Sequence, residues 1–136
     1  MKTPQQVVNS LMENDHFSKW LGMEVLETGE GISKLKMTVK SEMLNGFGIA
    51  HGGITYSLAD SALAFASNSH GIKSGSVETS ISHLAPLHEG DIIIAIAKEE
   101  NRSNKIGVYT IKVYKENDLE VVALFKGTVY RTSKEW

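Results

Sequence analysis

Residues 45–71 read NGFGIAHGGITYSLADSALAFASNSHG. From Ile54 to Asn68 this stretch holds neither Gly nor Pro, and Ala, Leu and Ser dominate it. Such residues lose little freedom in a helix, so the composition predicts one long helix, with Gly71 as its stop. Tyr56, Leu58, Ala59, Ala62, Leu63, Phe65 and Ala66 leave that helix almost no polar face, and it must be covered on most sides. One acid, Asp60, interrupts the apolar run. Two glycines, Gly52 and Gly53, open it behind His51.

The flanking sequence supplies the cover. Downstream, Ser76–Leu84, Asp91–Glu99, Ile106–Lys115 and Val121–Arg131 have the β-branched and aromatic enrichment of strands. Tyr109, Ile111 and Val113 mark one face of the third segment; Val121, Ala123, Phe125 and Val129 mark one face of the fourth. Glu116-Asn117-Asp118 is a hairpin turn between them. With no helix intervening, the four strands are expected to run as an antiparallel meander. Upstream, Ile32–Lys40 alternates apolar Leu35, Met37 and Val39 with Lys34, Lys36, Thr38 and Lys40, which is a half-buried strand. Gly22–Glu27 is its expected partner across a turn at Gly29-Glu30-Gly31. At the start, Thr3, Pro4 and Gln6 form a capping-box signature for a short helix reaching about Asp15. The expected architecture is α+β: an antiparallel sheet of five to six strands wrapped around one long central helix. A partner subunit is expected to cover the remaining helix faces and the edge strand.

The chain is 136 residues long, which fits one domain spanning 1–136. A net charge of -2 offers no broad basic surface, so neither nucleic acid nor an anionic membrane is an expected partner. The longest apolar run, Ile92–Ala97, falls far short of the ~20 residues that span a bilayer. Cysteine is absent, which removes disulfides, thiolate metal sites and a Cys nucleophile together. MKTPQQVVNSLMEND at the N-terminus has no apolar signal region, and the expected location is the cytoplasm. No G-x-S-x-G, phosphate-binding loop or dinucleotide fingerprint occurs. His16, His70, His83 and His88 show no ligand spacing, so no metal is expected.

The chemistry concentrates at the long helix. Its first turn leaves backbone N–H groups unpaired at the positive end of the dipole, and glycine lets a ligand approach them closely. Gly52 therefore suits an oxyanion or a phosphate, unless the two glycines only make a sharp turn. A charge at Asp60 is costly to bury, which leaves it facing solvent, bonded to a neighbouring chain, or acting as general base or nucleophile. Gly52 and Asp60 lie ~12 Å apart along a helix rising ~1.5 Å per residue. One reacting carbon cannot sit within ~3.5 Å of both in a single chain. If both act on one substrate, a homodimer with antiparallel helices and two composite sites is required. Asn45 is an amide donor or a turn residue. His51 orients the loop or a substrate, or is structural. Ser76 positions a water or simply begins a strand. Arg102, Lys105 and Lys73 meet phosphates or are solvated.

Taken together, Leu44-Asn45-Gly46, His51-Gly52-Gly53 and Ser57-Leu58-Ala59-Asp60 resemble the signature of hotdog-fold thioesterases, nearest to the phenylacetic-acid degradation (PaaI-type) family. Glu13-Asn14-Asp15, Leu21-Gly22, Pro86, Gly90-Asp91, Gly107-Val108-Tyr109 and residues 123–127 extend the likeness over most of the chain. Ala50 departs from some relatives. The resemblance implies dimers pairing into homotetramers that hydrolyse acyl-CoA, with CoA part of the substrate and no separate cofactor. By position it implies Asp60 as catalytic carboxylate and Gly52 N–H on the thioester carbonyl. Asn45 and His51 would line the same end, and Ser76 would orient water. Gly53, Phe47, Tyr56 and Leu84 are then expected along the substrate pocket, and Arg102 beside its phosphates. A hotdog dehydratase is a competing reading, but such enzymes often carry Phe-Pro-Gly near the His; here Gly-Gly follows it and the prolines are Pro4 and Pro86. A non-catalytic acyl-CoA sensor is another. Such regulators usually add a DNA-binding module, for which Thr3–Asp15 is too short.

Overall fold

The computed structural model describes residues 1–136. Its elements are α1 (Pro4–Asn14), α2 (His16–Trp20), β1 (Glu24–Gly29), β2 (Ile32–Thr38), α3 (Gly52–Asn68), β3 (Ile72–His83), β4 (Ile92–Arg102), β5 (Ile106–Lys115) and β6 (Val121–Glu135). A single 3₁₀ turn, Ser41–Met43, follows β2.

The capping box forms as the sequence requires: Gln6 N–H donates to Thr3 Oγ1 at 3.2 Å, and Thr3 N–H donates to Gln6 Oε1 at 3.0 Å. Val7 and Val8 are buried beneath α1. The helix ends at Asn14 because Asp15 caps a second one. The Asp15 carboxylate accepts from Ser18 N–H at 2.9 Å and from Ser18 Oγ–H at 2.7 Å. Ser18 Oγ in turn lies 2.8 Å from Ser61 Oγ on α3. The sequence patterning did not indicate α2, since five residues with one buried side chain carry no periodicity.

All six strands pair antiparallel in the order β1-β2-β4-β5-β6-β3. The expected four-strand meander is therefore corrected to three strands, β4-β5-β6. β3 crosses to the far side and pairs with β6, Ile81 opposite Phe125 and His83 opposite Ala123. Residues 84–91 cause this crossing. The segment contains Pro86 and buries Leu87, so it spans the fold instead of closing a tight turn. β3 also begins earlier than expected, directly after Gly71, whose φ of 85° turns the chain from the helix end into the strand.

One face of the sheet buries Leu35, Met37, Ile93, Ala95, Tyr109, Ile111, Val113, Ala123 and Phe125 around α3. α3 touches every strand and is closed from the other side by α1 and α2. Gly127 permits this close seat, because a Cβ there would stand 2.5 Å from Leu63 Cδ2. Ser33 Oγ–H donates to the Ala62 carbonyl at 2.6 Å and fixes the helix to β2. The outer edge of β3 has no strand beside it, and Val77 on it is 63% exposed.

Candidate active site

The first turn of α3 distributes its amides unequally. His51 is the N-cap residue, and its Nδ1 accepts from Gly53 N–H at 2.9 Å. The His51 carbonyl accepts from Ile54 N–H at 2.9 Å. Gly52 N–H meets no loop carbonyl and no side chain. The predicted anion donor is thus left open, and His51 spends one ring nitrogen on the helix itself.

The loop before α3 is held by Asn45. Asn45 Oδ1 accepts from Phe47 N–H at 2.9 Å, and Asn45 N–H donates to the Ile49 carbonyl at 2.7 Å. These bonds engage Oδ1 and the backbone, and the residue lines a cleft of about 430 Å³ with Gly52, Thr55, His83, Leu84 and Pro86. The structure therefore brings together Asn45, Gly52 and Leu84. It also adds His83, one of the histidines without ligand spacing. A Cβ built on Gly52 would lie 3.1 Å from His83 Nε2. The strand alternation through Ile81 was the available signal that His83 sits at a strand end, but nothing local tied it to Gly52.

Asp60 lies two turns further along α3, in a separate small cavity of about 90 Å³ with Leu63, Ala64, Ser67, Ser74, Gly75, Ser76 and Val129. Ser76 thus lines the same cavity as Asp60. Partial burial raises the Asp60 carboxyl above the ordinary carboxylate range, and the nearby Asp15 charge adds to the shift. A half-buried acid of raised basicity in a cavity is the pattern of a general base.

The other expected pocket residues are dispersed. His51 and Gly53 border a groove of about 620 Å³ with Phe17, Trp20, Met43 and Ile54. Phe47 is 90% exposed on the loop. Tyr56 is a packing residue in this chain: its hydroxyl bonds Thr79 Oγ1 at 2.7 Å, and its ring stands edge-on to Phe125. Arg102 sits beyond the opposite end of α3, beside His70 and Glu99. There Tyr109 O–H donates to Glu99 Oε1 at 3.1 Å, and His70 Nε2 lies 3.2 Å from the same oxygen. Burial lowers the pKa of His70, with Glu99 opposing that shift. Within one chain, then, Arg102 is not brought to the Gly52 cleft.

Gly52 and Asp60 line different cavities of the same protomer. The Gly52 cleft adjoins His83, the last residue of β3, whereas the Asp60 cavity adjoins Ser74–Ser76 near its start. The two cavities stand at opposite ends of β3.

Six antiparallel strands around one central helix, with this site, define a hotdog-fold enzyme. The Thioesterase superfamily profile matches residues 47–122, and the chain belongs to that family as a thioester hydrolase. It is 36% identical over 126 residues to the acyl-coenzyme A thioesterase PaaI of Escherichia coli, covering 93% of this chain and 89% of that protein. The solved structure of the E. coli PaaI protein superposes with a TM-score of 0.94 at 35% identity, covering 97% of this chain and 95% of the other. The phenylacetic acid degradation protein PaaI from Thermus thermophilus, solved as a mutant, gives a TM-score of 0.82 at 37% identity, with coverage of 85% and 98%. No helix of this chain is long and apolar enough to cross a membrane.

Proposed function

We propose that the protein hydrolyses acyl-CoA, with aryl or phenylacetyl-type or medium-chain acyl groups, at two composite sites of a homodimer. The observation that carries this reading is the division of Gly52 and Asp60 between the two ends of β3. If two β3 edges pair antiparallel about a two-fold axis, the His83 end of one strand meets the Ser74–Ser76 end of the other. Gly52 of one protomer then faces Asp60 of its partner across a single substrate. Pairing also removes the free edge that β3 presents in the monomer. The names borne by the E. coli and T. thermophilus relatives support acyl-CoA as the substrate and a phenylacetate-like acyl group.

In this site Asp60 withdraws a proton from water, or attacks the carbonyl carbon directly. Gly52 N–H, at the positive end of α3, receives the developing oxyanion. Asn45 and Ser76 orient the carbonyl and the water from the two sides. Leu84 flanks the substrate.

The test uses two inactive variants, Asp60→Asn and Gly52→Val, assayed for CoA release over a panel including phenylacetyl-, benzoyl- and hexanoyl-CoA. Asp60→Asn is expected to lower kcat by about 10²–10⁴-fold. Unfolding the two variants together and refolding them gives mixed dimers, each with one intact site and one doubly damaged site. Activity should return to about a quarter of wild type at random pairing. No recovery on mixing would place both groups in one chain and overturn the composite site. Asp60→Asn activity within a few-fold of wild type would overturn the role of the carboxylate.

A further inference from the structure

In the proposed site Gly52 N–H is the one backbone donor to the oxyanion, with Asn45 beside it, and losing one donor from such a site costs about 10²–10³-fold in kcat. The Gly52 cleft holds a further side-chain candidate. The three heavy atoms nearest to a Cβ built on Gly52 all belong to His83: Nε2 at 3.1 Å, Cε1 at 3.3 Å and Cδ2 at 3.8 Å. The imidazole therefore stands against the Cα of Gly52, the residue that carries the open amide, with Nε2 nearest to the position a Cβ would take. Neither ring nitrogen of His83 bonds any other part of the chain, in contrast to His51 and His70.

The ring is also held on a rigid element. His83 pairs with Ala123 of β6, and Leu84 N–H donates to the Val122 carbonyl at 2.8 Å, so the backbone on both sides of the ring is fixed by the sheet. Glycine at position 52 is what leaves the gap between amide and imidazole. Any side chain there would fill it.

We propose that His83 is a further oxyanion donor, its Nε2–H converging with Gly52 N–H on the thioester carbonyl oxygen. The inference rests on the thioester-hydrolysis reading above and assigns no proton transfer to His83. The water oxygen bonds the carbonyl carbon while its proton passes to Asp60 of the partner, and the carbonyl π pair moves onto oxygen. Collapse restores the carbonyl and breaks the C–S bond. The sulfur leaves with the electron pair and takes up a proton, either the one held by Asp60 or one from solvent. His83 keeps its own proton throughout.

The experiment compares His83→Phe, which keeps a ring and loses the donor, with His83→Gln, which restores an N–H. With phenylacetyl-CoA and hexanoyl-CoA, His83→Phe should lose about 10²-fold in kcat while KM stays within about threefold. His83→Gln should recover at least about tenfold of that loss, which a merely structural ring would not predict. As a spectroscopic check, Asp60→Asn should bind phenylacetyl-CoA carrying a ¹³C carbonyl with its infrared stretch lowered from the value in water. Adding His83→Phe should return most of that shift. The inference is overturned if His83→Phe keeps kcat within about threefold, raises KM alone, or leaves the carbonyl stretch unmoved. It is also overturned if Gln performs no better than Phe. Loss of activity in Asp60→Asn with none in His83→Phe sinks this inference and spares the thioesterase reading; a wild type that releases CoA from no substrate sinks both.

Discussion

Replacing Gly52 by Ala separates the requirements of the site from those of the fold. Gly52 is not among the glycines with positive φ, so its backbone accepts an L side chain. At the first position of α3 the exchange should hold or raise stability, because Gly→Ala at a compatible position contributes about 0.4–1 kcal/mol through the unfolded chain. For a domain of this size that is a rise in Tm of roughly 2–5 °C. The new methyl would sit 3.1 Å from His83 Nε2 and 3.3 Å from Cε1, so the exposed ring must yield by a few tenths of an ångström. The fold tolerates that shift, whereas an oxyanion pocket does not, since its donors act only when aimed at the charge. We expect kcat to fall about 10²-fold, or about 2.7 kcal/mol of transition-state stabilisation. Thermal melts and thiol-release kinetics on the same preparation read the two effects independently. Full activity with an intact fold would show that the space between Gly52 and His83 is empty in the transition state. A Tm several degrees lower would show that the glycine serves the helix entry and not the substrate.

Asp60→Asn should raise Tm while it removes activity. The folded state holds the Asp60 pKa above its unfolded value, so at neutral pH the ionised side chain costs stability, and the cost disappears as pH falls through the raised pKa. The Tm difference between variant and wild type should therefore be largest near pH 7 and close toward about pH 4. A difference that widened on acidification would refute the direction of the shift. Asp15→Asn removes the second cause of that shift while an Asn oxygen can still cap α2. The acid limb of kcat/KM should move to lower pH, with the remaining elevation supplied by burial. An unmoved limb would mean that Asp15 and Asp60 do not interact in the active assembly.

Local chemistry made much of this molecule legible in advance. The capping box at Thr3, the alternation of Leu35, Met37 and Val39, and the Gly-free run through Phe65 each specify structure through neighbours a few residues away. The place of β3 did not follow from its own residues. A strand that ends before a connection containing Pro86 and the buried Leu87 finds its partner by packing across the whole core, and here the partner is β6. The same contrast runs through the site. Gly52, Asp60 and Asn45 share one stretch of chain, and helical rise alone gives the distance from Gly52 to Asp60, which requires two chains if both act on one substrate. His83 reaches Gly52 only because β3 lies at the sheet edge, and the same pairing with β6 holds Ser76 near Asp60 at the strand's other end. Arg102 shows the converse. Its charge left phosphates and solvent both open, and the fold places it beside Glu99 and His70 beyond the far end of α3. Spacing along α3 thus says how far apart the two halves of the site must be. The free edge of β3 identifies the surface through which a second chain would bring them together.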